Sequence, residues 1–168
     1  GMHQRDDIHI FSPVPLEAYD EIQNDDTAFL ILGGSSNHRK QAKDYRLKNV
    51  KFLDTTSDIL SIHKFLNTLN VYAHGRSDGE QCSSAIIEGL SHSLPMISHT
   101  APSMGQLEQI GDAGEVVDGY EEYAQSMKKM IHNKGFYVDC KINAEKRYKD
   151  IFDVPSIMKK FIELYKEV

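Results

Sequence analysis

The sequence predicts an α/β fold with a Rossmann-like, doubly wound parallel sheet and helices on both faces. Short apolar runs alternate with segments of helical spacing, the connections between them are short, and glycines or polar residues follow several runs. A strand, a helix and a second strand in succession favour parallel pairing with a right-handed crossover. At 168 residues, with 40% hydrophobic and 26% charged residues, the chain suits one globular domain with its own core.

The first half of the chain begins with helical spacing over 14–22 and continues with strands and helices in turn. Predicted strands cover 27–32, 50–54 and 69–74, and predicted helices cover 36–47 and 57–66. The run TAFLIL is continuously apolar and ends at Gly33-Gly34, as expected for a buried parallel strand that enters a tight turn. Ser57 or Asp58 is the predicted N-cap of the second of these helices.

The second half continues the alternation after a predicted loop at 75–79. Predicted helices cover 83–92, 105–110, 120–133, 139–150 and 155–166, and predicted strands cover 95–99 and 114–117. Ser83 or Ser84 lies near the start of the first of these helices. In open parallel sheets, ligands bind beyond the carboxyl ends of the strands. This rule places Gly33-Gly34, Asp54 and the loop after His74 at the expected binding edge.

Composition narrows the classes of partner. A net charge of −6 argues against nucleic acid, and no apolar run approaches the ~20 residues that cross a bilayer. Cys82 and Cys140 are too few for a disulfide framework, so we expect a cytoplasmic protein. The eight histidines lack the short spacing of metal ligands, so we expect no metal site.

Two glutamates stand out in the stretch EQCSSAIIEGLSHSLPMI, which covers residues 80–97. Glu80 falls in the predicted loop and Glu88 more than a turn inside the following helix, with the first N–H groups of that helix between them. Such N–H groups favour an anion, and carboxylates accept hydrogen bonds from neighbouring hydroxyls. A nucleotide sugar offers the complementary order of sugar hydroxyls, diphosphate and ribose hydroxyls. The alternative for both glutamates is a solvated helix face.

The stretch GEQCSSAIIEGLSHSLPMISHTAP resembles the signature of the GT-B retaining glycosyltransferases of group 1, also called family 4. The segments FLILGG, NVKFLD, LNVYAHGRSDGE and GQLEQIGDAGEVV resemble further landmarks of that family in the same order, from about residue 27 to 133. The resemblance implies one half of a GT-B fold, the C-terminal donor-binding domain. We expect this single domain to span 2–168, since Gly1 before Met2 looks like a tag remnant, and the N-terminal acceptor domain to be absent from this chain.

The resemblance also assigns roles to residues. It implies that Glu80, as the catalytic candidate, contacts hydroxyls of the donor sugar and that Glu88 accepts from the ribose hydroxyls. The backbone N–H groups near the sugar and diphosphate would be those of Gln81, Cys82, Ser83 and Ser84, and the turn at Gly33 and Gly34 would border the same crevice. Arg5 is the candidate for a family arginine that neutralises the diphosphate, whereas Ile10 stands near the position of the expected lysine.

The implied activity is transfer of a sugar from a UDP- or GDP-sugar to a glycan, lipid or protein acceptor with retention of configuration. No further cofactor is implied, and the isolated domain is expected to bind nucleotide without catalysing transfer. This chain has Gln81-Cys82-Ser83 where the family usually has Gly-Phe-Gly, so the identity of the donor sugar is not inferred from the resemblance. Peripheral association of the complete enzyme with a membrane is kept as an alternative to a purely cytoplasmic location. The alternatives are a noncatalytic flavodoxin-like binding module and one half of a sugar-nucleotide epimerase.

Overall fold

The computed structural model describes residues 12–166, which fold into alternating strands and helices. The strands are β1 (Phe29–Leu32), β2 (Val50–Leu53), β3 (Tyr72–Ala73), β4 (Gly79–Glu80), β5 (Met96–His99), β6 (Ser103–Met104) and β7 (Gly114–Val117). The α-helices are α1 (Val14–Asp20), α2 (Ser36–Asp44), α3 (Ile59–Thr68), α4 (Ser84–Ser91), α5 (Gly105–Ile110), α6 (Gly119–His132), α7 (Lys134–Arg147) and α8 (Val154–Lys166). A 3-10 turn at Gly111–Ala113 and a π-helical turn at Tyr148–Phe152 complete this part of the chain.

The paired strands in the described part of the chain are parallel and form three hydrogen-bonded groups. β1 pairs with β2, β5 lies between β3 and β7, and β4 pairs with β6. The α/β class, the parallel pairing and the Rossmann-like character are therefore confirmed. The strands do not form one continuous hydrogen-bonded sheet within residues 12–166, which is a difference from the expected arrangement.

Strand β5 carries helices on both of its faces. Because successive side chains of a strand point to opposite faces, Met96 and Ile97 enter different core clusters. Ile97 packs with residues of α1 and α6, including Ala18 and Tyr123. Met96 packs with residues of α4, α5 and α7, including Ile86. All four side chains of β5 are buried, as a strand covered on both faces requires.

Tyr123 of α6 connects the ends of two neighbouring strands. Its side chain is fully buried, and its hydroxyl lies 3.0 Å from the carbonyl oxygen of His74 and 2.9 Å from that of Ile97. The hydroxyl therefore donates to a carbonyl at the carboxyl end of β3 or to one in β5. Burial raises the pKa of Tyr123 well above its ordinary value, so the hydroxyl stays protonated as a donor.

Several element boundaries differ from the sequence-based expectation. α7 begins at Lys134 instead of residue 139, because the side chain of Asn133 accepts a hydrogen bond from the Phe136 N–H and starts the helix early. β4 and β6 were not predicted, since two-residue strands carry no periodic signal. The predicted N-cap at Asp58 is present, with its carboxylate accepting from the Ser61 N–H.

The apolar stripe of α8 is not buried in this chain. No side chain of α8 is buried, and those of Met158, Phe161 and Leu164 are about half exposed. No helix in residues 12–166 combines the length and the apolar character needed to cross a membrane.

Replacing Tyr123 by Phe tests the link between α6 and the strand ends. We expect Tyr123→Phe to lower the free energy of unfolding by about 1–3 kcal/mol, because a buried carbonyl oxygen loses its donor. Tyr120→Phe, which removes an exposed hydroxyl from the same helix, should change it by less than about 0.5 kcal/mol. Urea denaturation measures both values, and equal losses in the two variants would contradict the role of the buried hydroxyl.

Candidate functional site

A cleft runs between β1 and β3 along the length of the strands and reaches their carboxyl ends, the edge where parallel strands present ligand sites. Its lining at this edge includes Gly34, Thr55, Thr56, His74, Arg76, Glu80, Ser83, Ser84 and Glu88. We call these nine residues the donor cleft. They come from the segments that follow β1, β2 and β3, together with β4 and the first two turns of α4.

Strand β4 fixes the backbone of Glu80. Glu80 lies opposite Met104 in the parallel β4–β6 pair, so it belongs to a short strand and not to a free loop. Gly105 follows directly and permits this approach, since a Cβ there would lie 2.3 Å from the Glu80 carbonyl oxygen. The sequence did not reveal this pairing, which brings a segment 24 residues downstream against the glutamate.

The carboxylate of Glu80 contacts two basic side chains. The Oε1 atom accepts a hydrogen bond from Nη1 of Arg76 at 2.8 Å, and Oε2 lies 3.5 Å from Nε2 of His74. The Arg76 guanidinium also donates twice to Asp78, from Nε at 3.0 Å and from Nη2 at 2.8 Å. These hydrogen bonds hold the pKa of Asp78 below its usual range. Arg76 lines the donor cleft together with Glu80.

His74 is buried beside this ion pair. Its Nδ1 atom lies 3.0 Å from the Ser98 hydroxyl. Burial lowers the pKa of His74, and the nearby Glu80 carboxylate opposes this change without reversing it. The His74 side chain is therefore uncharged at pH 7, and at that pH its contact with Glu80 is not an ion pair.

The start of α4 lies between the two glutamates. Its first internal hydrogen bond runs from the Ile87 N–H to the Ser83 carbonyl oxygen, so the N–H groups of Ser84 and Ala85 lack a partner one turn back. The Ser83 N–H is not available to a ligand, because it donates to Oε1 of Gln109 at 2.7 Å. Gln109 also donates to the Ser83 carbonyl oxygen at 3.2 Å and thus fixes the helix start from both sides.

Glu88 is exposed and lines the same cleft as Glu80. The charges of both glutamates affect one partly buried neighbour, Tyr72. Burial first, and then the charges of Glu88 and Glu80, raise the pKa of Tyr72 to about 12. Both carboxylates line the cavity that Tyr72 of β3 also lines.

The glycine turn after β1 takes the conformation that its sequence predicts. Gly33 and Gly34 have φ angles of 82° and 88°, which favour glycine. A Cβ at Gly34 would lie 3.0 Å from the ring of Phe52, so the turn also packs closely on β2. Gly34 lines the donor cleft, whereas Gly33 does not.

The structure brings together five of the nine residues that the sequence selected. Gly34, Glu80, Ser83, Ser84 and Glu88 line the donor cleft, whereas Gly33, Gln81 and Cys82 do not. Arg5 lies outside the described residues. Sequence reasoning missed the contribution of His74, Asp78 and Gln109. The close spacing of polar residues in 74–80 could have indicated two of these, His74 and Asp78, whereas Gln109 lies 26 residues from Ser83 in the sequence.

No group of three or more His, Cys, Asp or Glu side chains in residues 12–166 is arranged to hold a metal ion. Cys82 and Cys140 are both free. The polar groups of the donor cleft are thus two carboxylates, several hydroxyls, one guanidinium, the imidazole of His74 and backbone N–H groups. Such a set suits a polyhydroxylated ligand with an anionic centre.

Parallel strands, flanking helices and a cleft at the carboxyl edge define a Rossmann-like domain of the kind that builds GT-B glycosyltransferases. The chain itself belongs to the family described as glycosyl transferases group 1, whose model matches residues 14–147. The family identified from the sequence is therefore confirmed. A search of curated proteins gave no match to this chain.

Solved structures support the same fold. The Anabaena protein Alr3699/HepE in complex with UDP-glucose is 18% identical, with a TM-score of 0.71 over 95% of this chain and 47% of that chain. A glycosyltransferase from Rickettsia africae ESF-5 is 20% identical, with a TM-score of 0.69 over 92% of this chain and 43% of that one. Sucrose-phosphate synthase from Thermosynechococcus elongatus is 18% identical, with a TM-score of 0.73 over 92% and 41%. This chain thus spans less than half the length of each.

The buried histidine makes stability depend on pH. Because the pKa of His74 is lowered in the folded state, the unfolded chain binds more protons between that pKa and about 6.5. The free energy of unfolding should therefore fall on acidification below about pH 7, with a slope of at most about 1.4 kcal/mol per pH unit from this group. His74→Gln should reduce the slope in urea denaturation across this range.

Two comparisons make this pH experiment specific. Burial also lowers the pKa of His38 and of His92, so part of the slope should remain in His74→Gln. His132→Gln replaces an exposed histidine and should leave the slope of the parent protein unchanged. A His74→Gln slope equal to that of the parent would contradict the assignment.

Proposed function

We propose that this chain is the nucleotide-sugar-binding, C-terminal domain of a retaining glycosyltransferase, and that residues 2–168 form this single domain. The observation that carries the proposal is the order of groups along the donor cleft: Glu80, the free N–H groups at the start of α4, and Glu88. A nucleotide diphosphate sugar has hydroxyls at both ends and negative charge in the middle. The two partners therefore match group by group.

In the proposed complex, each part of the cleft has one task. Glu80 accepts hydrogen bonds from sugar hydroxyls and fixes the sugar's orientation, which favours the reacting geometry. The N–H groups of Ser84 and Ala85 point their dipoles at the diphosphate and stabilise the charge that grows on it as the leaving group departs. Glu88 accepts from the ribose hydroxyls. The turn at Gly34, with Thr55 and Thr56, borders the nucleoside end.

The nucleotide is proposed from the ligands bound in structurally similar proteins. Alr3699/HepE is described in complexes with UDP-glucose and with UDP. We therefore propose a UDP-sugar as the first donor to test, with a GDP-sugar second. The proposal includes no cofactor beyond the donor: the N–H dipoles at the start of α4, with Arg5 as the candidate cation, are proposed to stabilise the charge on the leaving diphosphate.

The acceptor half belongs to the proposal as well. GT-B enzymes use a second Rossmann-like domain for the acceptor, and this chain spans 47% of the length of Alr3699/HepE. The half-exposed apolar residues of α8 provide a surface against which such a domain could pack. We propose that the isolated chain binds nucleotide but does not transfer sugar. A cytoplasmic location completes the proposal, supported by the free thiols of Cys82 and Cys140.

The experiment is isothermal titration of the chain with UDP, UDP-glucose, GDP and GDP-mannose. Glu88→Ala should weaken UDP binding by about 5- to 150-fold, which corresponds to loss of about 1–3 kcal/mol for hydrogen bonds to a charged group. Glu163→Ala removes an exposed carboxylate from α8 and should bind like the parent.

Two results would count against the proposal in different ways. Equal binding by Glu88→Ala and the parent would remove the assignment of Glu88 to the ribose. Absence of nucleotide binding by the parent would favour the noncatalytic module instead.

A further inference from the structure

The segment from His74 to Glu80 holds a chain of charge-assisted contacts that the roles above do not explain. Arg76 uses three of its five N–H donors, two on Asp78 and one on Glu80. Its side chain is only 27% exposed and that of Glu80 only 21%, against 48% for Asp78. The guanidinium therefore joins an outer carboxylate, Asp78, to an inner one, Glu80.

The Glu80 carboxylate is constrained at both oxygens. Arg76 donates to Oε1 at 2.8 Å, and the ring of His74 lies 3.5 Å from Oε2. His74 is itself placed by Ser98, whose hydroxyl lies 3.0 Å from Nδ1. Because a carboxylate has about four acceptor positions, these contacts leave room for ligand hydroxyls while they set the plane of the group.

Charge balance argues against a direct role of Arg76 at a diphosphate. The positive guanidinium contacts the two negative carboxylates of Asp78 and Glu80, so the three groups together carry about one negative charge. A diphosphate brought beside them would meet Asp78 and Glu80 as well as Arg76. The bidentate pairing with Asp78 also makes the guanidinium costly to release.

We propose that Arg76 is a positioning residue for donor-sugar recognition: clamped by Asp78, it holds the Glu80 carboxylate in the orientation that accepts sugar hydroxyls. This inference rests on the proposed function, in which Glu80 contacts the sugar. It separates the donor cleft into two energetically distinct parts. Arg76 controls how tightly the sugar is held, and the start of α4 with Glu88 controls how tightly the nucleoside diphosphate is held.

The test compares each nucleotide sugar with its own nucleoside diphosphate. Dissociation constants are measured by titration for UDP-glucose, UDP-galactose and UDP-N-acetylglucosamine against UDP, and for GDP-mannose against GDP. The sugar that the parent protein binds most tightly is used thereafter. Arg76→Gln should raise the ratio of the nucleotide-sugar constant to the nucleoside diphosphate constant about tenfold, while the nucleoside diphosphate constant changes less than about twofold.

A double-mutant cycle shows whether Arg76 acts through Glu80. Glu80→Gln alone should raise the same ratio by a similar factor, and Arg76→Gln combined with Glu80→Gln should raise it little further. Asp78→Asn should change the ratio in the same direction by a smaller factor, since it loosens the clamp but keeps the guanidinium. Lys128→Gln removes a positive charge from an exposed position of α6 and should leave the ratio unchanged.

Each contrary outcome has a distinct meaning. Equal weakening of UDP and UDP-sugar binding by Arg76→Gln would overturn the inference, because it would place Arg76 at the diphosphate. A ratio that responds to Glu80→Gln but not to Arg76→Gln or Asp78→Asn would also overturn it and leave the proposed function intact. Absence of any nucleotide binding by the parent would overturn the proposed function and this inference together.

Discussion

The donor cleft depends on the parallel pairing of β5 between β3 and β7. Parallel strands end at one edge, so the residues that follow β3 and precede α4 are gathered at the same place. Tyr123 stabilises this edge, because its buried hydroxyl lies within hydrogen-bond distance of two carbonyl oxygens, one at the end of β3 and one in β5. Helices on both faces of β5 bury the strand completely and leave the edge as the place for polar chemistry.

The charge of the cleft depends on which side chains lie at that edge. Its net local charge is not strongly positive, since Arg76 is matched by Asp78 and Glu80, and Glu88 adds a further carboxylate. Within residues 12–166, the proposed attraction for an anion therefore rests on backbone N–H dipoles at the start of α4. Gln109 fixes this helix start through both backbone groups of Ser83, which preorganises the neighbouring N–H groups without adding charge.

Much of the site was predictable because its signals are local in the chain. The spacing of Glu80 and Glu88 around a helix start places both on the cleft, and the two glycines after β1 predict a turn with positive φ. The contacts of Arg76 with Asp78 and Glu80 were not predicted, because they depend on the bend of the backbone at 77–78. The contribution of Gln109 was invisible, since α5 reaches Ser83 from 26 residues away in the sequence.

The sequence by itself determined the fold class, the family and the order of groups along the cleft, because alternating periodicity and short motifs are properties of neighbouring residues. Only the tertiary structure decided that Glu80 sits in a two-residue strand against Met104, and that Gly105 lets the two segments approach. It also decided which N–H groups at α4 are free and which basic side chains hold Glu80. The pairing of Glu80 with Met104 and the contacts of Gln109 with Ser83 join segments 24 and 26 residues apart, which leave no periodic pattern in the sequence. The contacts of His74 and Arg76 with Glu80 depend on how their own short segment bends.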